Sequence, residues 1–260
     1  MGIISRTLNL FNNASNLTCR LKENFNPVYK FKINGRKLRF NCPNQFTLYR
    51  VQTLKTKEPE TLEWIENFKS DEILFDVGAN IGIYSIYAAS RDIQVFSFEP
   101  EALNFAELNK NININNYDNR VVAYNIALSD NNEIGILNLS VFEAGRAFHS
   151  FGESIDDSHK QFNPCFKQGC YSFTVDSLID DFSLPVPNHI KIDVDGLEAK
   201  VIDGMRQILI NRHLKSLLIE FNEELDVDLK AIRLIKKNGF NIVKETPANM
   251  ILSRDTILPH

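Results

Sequence analysis

The chain has 260 residues, 43% of them hydrophobic, enough to bury one substantial core without requiring a second domain. A formal net charge of -4, from 29 Lys and Arg against 33 Asp and Glu, gives no general electrostatic reason to expect a nucleic-acid partner. No apolar run approaches the ~20 residues that span a bilayer, and MGIISRTLNLFNN lacks the long apolar core of a secretory signal, so a cytoplasmic location is expected.

Residues 1–57 read as an N-terminal extension ahead of a domain running from 58 to 260. Ile3, Ile4, Leu8 and Phe11 fall on one helical face, the pattern of a segment that docks on its own domain. Gly2 is followed by Arg6 where a myristoylation signal wants Ser or Thr, and the sequons at Asn13, Asn16 and Asn138 lack an export signal to accompany them. Cys19, Cys42, Cys165 and Cys170 form no CxxC pair and no zinc spacing, so they are expected to be reduced thiols.

From Pro59 the pattern becomes regular. PETLEWIENF places proline at a first helical position with acids in the first turn, and predicts a helix leading into the strand ILFDV. IYSIYAASR then reads as helix, QVFSFE as a buried strand, EALNFAELNKNI as helix and VVAYNIAL as strand. The second half repeats the alternation: HIKIDV strand, GLEAKVIDGMRQILI helix, SLLIEF strand, VDLKAIRLIKKNG helix. Parallel βαβ units follow from it. FNIVKETPANMILSR closes the chain as two apolar runs around a Thr-Pro-Ala-Asn turn, an antiparallel hairpin on the edge of a mostly parallel α/β sheet. Residues 140–171 form a polar insertion longer than the ~12–15 residues usual for a structureless loop. Its aromatics Phe142, Phe148, Phe151, Phe162, Phe166 and Tyr171 point to a partly ordered lid or acceptor-binding loop.

The stretch ILFDVGANIG, residues 73–82, carries the first chemical signal. In open α/β sheets, ligands settle beyond the carboxyl ends of the strands, where strand turns to helix, and Asp76 to Gly82 is such a turn. A dinucleotide fingerprint would need GxGxxG, but Asn80 stands where the second glycine belongs and Gly82 comes one place early. Asp76 ahead of the loop would repel a pyrophosphate and favour an ammonium or sulfonium group, both of which S-adenosylmethionine carries. Glu99 ends the next strand, 23 residues on, where its two oxygens can accept hydrogen bonds from both ribose hydroxyls. Each residue also has a plainer role open to it: a helix cap for Asp76, close helix packing for Gly82, a helix-start acid for Glu99 and turn chemistry for Asp130.

DVGANIG, the FEP at 98–100, the ALSD at 127–130, FTVDSLID and above all IKIDVDGLEAKVIDGM together resemble the FkbM family of class I methyltransferases over roughly residues 58–224. The resemblance implies a Rossmann-like α/β fold with a seven-stranded sheet and one antiparallel strand at its edge, with S-adenosylmethionine as cofactor. The acceptor it implies is a hydroxyl of a sugar, glycoconjugate or natural product. By position, Asp76, Gly78, Asn80 and Gly82 would form the methionine side of the cofactor site, Glu99 would hold the ribose, and Ser129 and Asp130 would meet the adenine.

Methyl transfer to an alcohol needs an aligned acceptor and a group to take its proton. The carboxyl end of the fourth strand places Asp193 beside the reacting methyl group, and Glu220 ends the neighbouring fifth strand, so these two are the expected catalytic acids. Asp195 and Glu198 suit the following helix start, and Lys191 shares a strand face with Asp193. Asp193, Glu220 and Asn222 also make a set of hard oxygen ligands able to take Mg²⁺. His149 and His159 lie in the insertion and could act as bases, since an unperturbed imidazole pKa near ~6.5 suits proton removal, although a lone loop histidine is more often solvated than catalytic; His189 should be remote from the ligand edge and His213 lies in a helix-to-strand connection. N- or C-methylation on the same scaffold, a NAD-dependent oxidoreductase and a catalytically silent cofactor-binding partner are the alternative functions.

Overall fold

A computed structural model describes residues 17–18, 27–222, 224–247 and 249–254. The apolar face of Ile3, Ile4, Leu8 and Phe11, the sequon asparagines Asn13 and Asn16, and Cys19 lie outside them. The third sequon residue, Asn138, is buried with its amide donating to the carbonyls of Ser150 and Glu153. Cys42, Cys165 and Cys170 are free thiols.

The described chain begins with a hairpin that the chain-order reading passed over, β1 (Val28–Ile33) and β2 (Arg36–Asn41), joined by Asn34 and Gly35. Asn-Gly between two apolar-alternating runs is the expected signal for such a turn. Helix α1 (Gln45–Thr53) follows behind a reciprocal cap between Asn44 and Thr47. Helix α2 (Pro59–Glu66) starts on its proline, as predicted.

The main sheet then forms from β3 (Ile73–Val77), β4 (Gln94–Phe98), β5 (Val121–Tyr124), β10 (His189–Ile192), β11 (Ser216–Ile219), β12 (Asn241–Glu245) and β13 (Met250–Ser253). Their spatial order is β12-β13-β11-β10-β3-β4-β5. The sheet is mostly parallel; β13 pairs antiparallel with β11 and with β12, so the terminal hairpin lies at the edge with its antiparallel member one place in. Helices α3 (Ile83–Ala89), α4 (Ala102–Asn115), α5 (Val175–Asp180), α6 (Glu198–Asp203) and α7 (Asp226–Lys237) complete the βαβ alternation. Alternate strand residues feed two apolar layers: Leu74 and Val95 pack with Trp64, Ile86 and Leu108, while Phe75 and Phe96 pack with Val201, Ile232 and Ile235. Burial on both faces is why these strands read as continuous apolar runs.

Two elements differ from the sequence expectation. The run VVAYNIAL is two strands, because the Asn125 side chain donates to the carbonyls of Glu99 (2.8 Å) and Pro100 (2.9 Å) and turns the chain out of the main sheet. The second piece, β6 (Ala127–Leu128), joins a separate sheet of order β6-β9-β7-β8, with β7 (Glu133–Leu139), β8 (His149–Phe151) and β9 (Phe166–Phe173). Part of 140–171 therefore belongs to strands, which hold the aromatics Phe151, Phe166 and Tyr171. Helix α6 ends at Asp203 rather than running on to residue 210. Gly204 lies so close to strand-end backbone that a Cβ there would stand 2.1 Å from the Ser129 carbonyl oxygen, and Asp176 takes the amides of Gln207 and Ile208 instead of leaving them to a helix.

Candidate active site

Sheet order reverses between β3 and β10, and the crevice at their carboxyl ends is the place where such sheets bind ligands. A cavity of about 430 Å³ lies there. After Val77 the chain turns through Gly78, whose φ is +78° and whose Cβ position would fall 1.8 Å from the Asp193 carbonyl oxygen, so no other residue lets the β3 and β10 turns approach this closely. Gly78 and Ala79 donate to the Phe98 carbonyl, and Asn80, at φ +51°, donates its backbone N–H to Glu99 (2.7 Å). Gly82 caps α3 and makes room for Leu108, whose Cδ1 would lie 2.3 Å from an added Cβ.

Glu99 is buried, with one oxygen taking the Asn80 amide and the other the Glu101 amide at 2.9 Å. Burial pushes its carboxyl up to about 8, helped by Glu101 and Asp195 and opposed by the two amides. Apolar side chains of Phe98, Ile126, Ala127, Leu128 and Leu137 line the cavity with Glu99. Phe46, Tyr49 and Arg50 of α1 and the nearby Lys57 line it too. Arg50 Nε donates to the Gly145 carbonyl (2.6 Å), and the Arg146 guanidinium sits 3.9 Å from the Phe46 ring centroid. Asn80 and Asn104 both donate to the Arg146 carbonyl. These contacts tie the loop at 144–146 to α1, to the glycine loop and to α4.

Asp193 leaves β10 half-buried, with Lys191 Nζ 2.7 Å from its Oδ2. Burial alone would raise the Asp193 carboxyl; the Lys191 ammonium and a hydrogen bond from Glu220 overcome it and hold the group down to about 2. Lys191 is itself buried, among Asp193, Glu58 and Asp76, which keep it charged against desolvation. Glu220 follows β11, which pairs with β10, so the two predicted acids are neighbours. Burial and the Asp193 charge push Glu220 up to about 8, so near neutral pH the pair holds one proton, on Glu220. Asp195, at φ +54°, accepts from the Phe148 amide (2.7 Å) and is pushed up to about 7 by burial and by Asp193. Glu198 caps the turn before its helix, taking the amides of Val194 and Gly196.

Of the residues singled out from sequence, Gly78, Asn80, Glu99, Asp193 and Glu220 line one cavity. Asp76, Gly82, Ser129 and Asp130 do not. The Asp76 carboxylate is fully buried, one oxygen held by the Ser85 hydroxyl at 2.5 Å, and Lys191 lies beside it on the next strand, so it is not the lone negative charge the sequence suggested. Ser129 donates its hydroxyl to Asp130 and its amide to the Phe173 carbonyl, which keeps both at the second sheet. Residues 126–128 occupy the wall in their place.

Sequence reasoning missed Phe46, Tyr49, Arg50, Lys57 and Arg146, and undervalued His149. Both His149 ring nitrogens are buried without a partner among the described residues, and burial together with Arg50 and Arg146 pushes the ring down to about 4, leaving it neutral on the cavity wall. Its position in an alternating strand was the signal available. His159 instead engages the Gly196 carbonyl at 2.9 Å. No group of three or more His, Cys, Asp or Glu side chains among the described residues is arranged to hold a metal ion. Asp193 is committed to Lys191 and Glu220, and Asn222 Oδ1 to the Glu224 amide, so the expected oxygen set does not fit Mg²⁺.

Residues 76–242 match the family model described as the methyltransferase FkbM domain. The hexuronic acid methyltransferase AglP of Haloferax volcanii is 24% identical over 195 residues, covering 75% of this chain and 74% of that protein. Among solved structures, methyltransferase FkbM from Methylobacillus flagellatus KT matches with a TM-score of 0.49 and 16% identity, over 81% of this chain and 55% of that one. This chain thus spans about half the length of that structure. A SAM-dependent methyltransferase from Agrobacterium tumefaciens matches with a TM-score of 0.49 and 8% identity, over 88% and 70% of the respective chains.

Proposed function

This chain belongs to the FkbM family of S-adenosylmethionine-dependent methyltransferases, and we propose that the group it methylates is a hydroxyl of a sugar or glycoconjugate. The observation that carries the reading is that Asp193 and Glu220 line the same cavity as Glu99, with Asp193 held by Lys191 Nζ at 2.7 Å. The name of the Haloferax relative supports a sugar as acceptor.

The cavity suits the cofactor group by group. Its apolar end takes a purine, Glu99 offers acceptor oxygens to a ribose diol, and the cations of Arg50 and Lys57 match an amino-acid carboxylate beyond Gly78 and Asn80. When bound, S-adenosylmethionine supplies a methyl carbon activated by its sulfonium for in-line displacement by oxygen. The protein's own task is to place that oxygen and take its proton. Asp193, ionised and fixed by Lys191, accepts the hydroxyl hydrogen bond and receives the proton as the oxygen becomes acidic during bond formation. Glu220 tunes it: once the pair loses its shared proton, Asp193 is the stronger base. Because the base form is the deprotonated one and Glu220 is pushed up to about 8, turnover should climb as pH rises through that value and fall below it. In this reading 58–260 is the catalytic unit, and the 1–57 extension supplies the wall of Phe46, Tyr49 and Arg50.

The test is transfer of an isotopically labelled methyl group to a panel of glycosides, with the position of the label read by mass spectrometry and NMR. An O-methyl ether is expected, with the pH inflection near 8 lost in Glu220→Gln. Label on nitrogen or carbon, or tight NAD binding in place of S-adenosylhomocysteine, would overturn the proposal.

A further inference from the structure

The turn from β10 into α6 meets the start of β8 at the main cavity, and each brings a residue in the left-handed backbone region: Asp195 at φ +54° and Phe148 at φ +62°. Both line the cavity. They are joined, because the Phe148 amide donates to Asp195 Oδ2 at 2.7 Å. An aspartate tolerates that conformation; a phenylalanine does not, and holding one there costs free energy that the fold must recover elsewhere. On either side of Phe148 the chain turns left-handed again, and there it uses glycine, Gly145 at φ +84° and Gly152 at φ +80°. Packing does not explain the exception, since 49% of Phe148 remains exposed.

The local hydrogen bonds show how the conformation is held. The peptide ahead of Phe148 is fixed at both poles: the Ser140 hydroxyl donates to its carbonyl, that of Ala147, at 3.1 Å, and Asp195 accepts its N–H. Asp195 is free for this task. The helix-start role that its position suggested belongs to Glu198, which takes the amides of Val194 and Gly196. Asp195 follows Asp193 by two residues, and with Glu220 it lines both the main cavity and a second one of about 380 Å³, so the two cavities adjoin at this end. The half-exposed Phe148 ring therefore belongs to the end where an acceptor must meet Asp193.

We propose that Asp195 is a positioning residue, holding Phe148 in its left-handed conformation so that the ring forms the wall against which the acceptor's sugar ring packs beside Asp193. The assignment rests on the methyltransferase reading above and deepens it by naming what selects the acceptor. A favoured acceptor turns an apolar C–H face to Phe148 while its hydroxyl reaches Asp193.

The test uses the full chain, labelled S-adenosylmethionine and the methyl pyranosides of glucose, galactose, mannose and glucuronic acid. For the glycoside methylated best, Phe148→Ala should raise KM about tenfold with a smaller change in kcat, the mark of binding shared by substrate and transition state. Phe148→Tyr keeps the aromatic face and should restore the parental KM. Asp195→Ala should reproduce the increase, while Asp195→Asn, whose amide oxygen still accepts the Phe148 N–H, should lie nearer the parent. Affinity for S-adenosylhomocysteine, measured by calorimetry, should stay as in the parent throughout. Phe148→Gly guards against misfolding: it removes the ring but sheds the left-handed penalty, so it should melt above Phe148→Ala and still show the raised KM. A KM indifferent to Phe148→Ala, or a loss of S-adenosylhomocysteine affinity matching the rise in KM, overturns the assignment while leaving sugar O-methylation standing. Asp195→Ala with the parental KM does the same. If no pyranoside is methylated by protein that does bind S-adenosylhomocysteine, both readings fall.

Discussion

Strand β10 has a buried histidine at its amino end and a half-buried aspartate just past its carboxyl end, and the two ends are built on opposite rules. At the amino end, Trp64 Nε1 donates to the Ser216 hydroxyl (2.8 Å), which in turn serves His189 Nδ1 (2.7 Å); His189 Nε2 then faces Glu72 at 2.9 Å. Since the Ser216 oxygen accepts from the indole, its proton goes to His189 Nδ1, and the neutral ring keeps its own proton on Nε2 for Glu72. Lys215 and the Lys69 amide also donate to Glu72, so each of its oxygens has a partner, and Phe68 stacks on the imidazole at 3.7 Å. Everything is paired. Four residues on, roughly 13 Å along the strand, Asp193 opens the carboxyl end, where the cavity-lining His149 has both ring nitrogens without a partner among the described residues. A buried polar group left unmatched costs stability, so one on a cavity wall marks a position that a ligand can complete.

The hardest blow to that contrast would be a dispensable Asp193. Asp193→Asn keeps the shape but loses the proton acceptor and the Lys191 ion pair, and we expect kcat to fall about a thousandfold, within the range typical for a general base. Affinity for S-adenosylhomocysteine, measured by calorimetry, should be retained, because the Glu99 and apolar parts of the cavity are untouched. Full activity on a true acceptor would remove Asp193 from the chemistry and with it the functional meaning of this end.

Glu72→Gln probes the opposite end and should separate stability from catalysis. His189 and Lys215 hold the Glu72 carboxyl down to about 2 against the burial that would raise it. Relative to its ordinary 4.5, that depression corresponds to about 3 kcal/mol of stability in the ionised state. The sign follows from the depressed value: the contribution is complete above pH 4.5 and is lost as pH falls toward 2. Chemical denaturation should therefore find the variant weaker by about 3 kcal/mol at neutral pH, with the gap closing in acid, while turnover and cofactor affinity stay as in the parent. A large loss of turnover without loss of stability would mean the ends are not separate in function.

The same contrast explains what could be read from the sequence. The βαβ alternation, the terminal hairpin and the positions of Gly78, Glu99, Asp193 and Glu220 were legible because strand ends in a parallel sheet converge, and a periodic apolar run fixes where each strand ends. Ser129 and Asp130 were misplaced relative to the cavity because one side chain, Asn125, bends the chain into a second sheet, and no periodicity records a single hydrogen bond of that kind. Arg50 and Tyr49 were invisible for another reason: α1 reaches the cavity through tertiary docking, with its cap residue Asn44 bonded to the Ala144 carbonyl and Arg50 to the Gly145 carbonyl, and sequence separation of more than ninety residues hides such contacts. Asp76 was read as a charge acting on the ligand, whereas it is buried against Ser85 and beside Lys191, a relation that depends on strand order and so on the assembled sheet.

The smallest expected effect asks whether Glu99 belongs with the paired end or the open one, since it has features of both. Its two oxygens already serve the Asn80 and Glu101 amides, as a purely structural carboxylate would, yet burial still pushes it up to about 8. Each carboxylate oxygen has a second lone pair, and a ribose diol donating to those would favour the ionised form further. Cofactor binding must then release a proton wherever free Glu99 is protonated. Affinity for S-adenosylhomocysteine should fall as pH drops below the Glu99 value, by about tenfold from pH 9 to pH 7 for a single proton. Calorimetry in two buffers of different ionisation enthalpy measures that proton directly. Glu99→Gln preserves an acceptor oxygen for one amide but cannot titrate, so it should bind more weakly and with no proton released. If the variant shows the same pH slope as the parent, the proton comes from elsewhere, and Glu99 is only the brace that holds the glycine loop against β4.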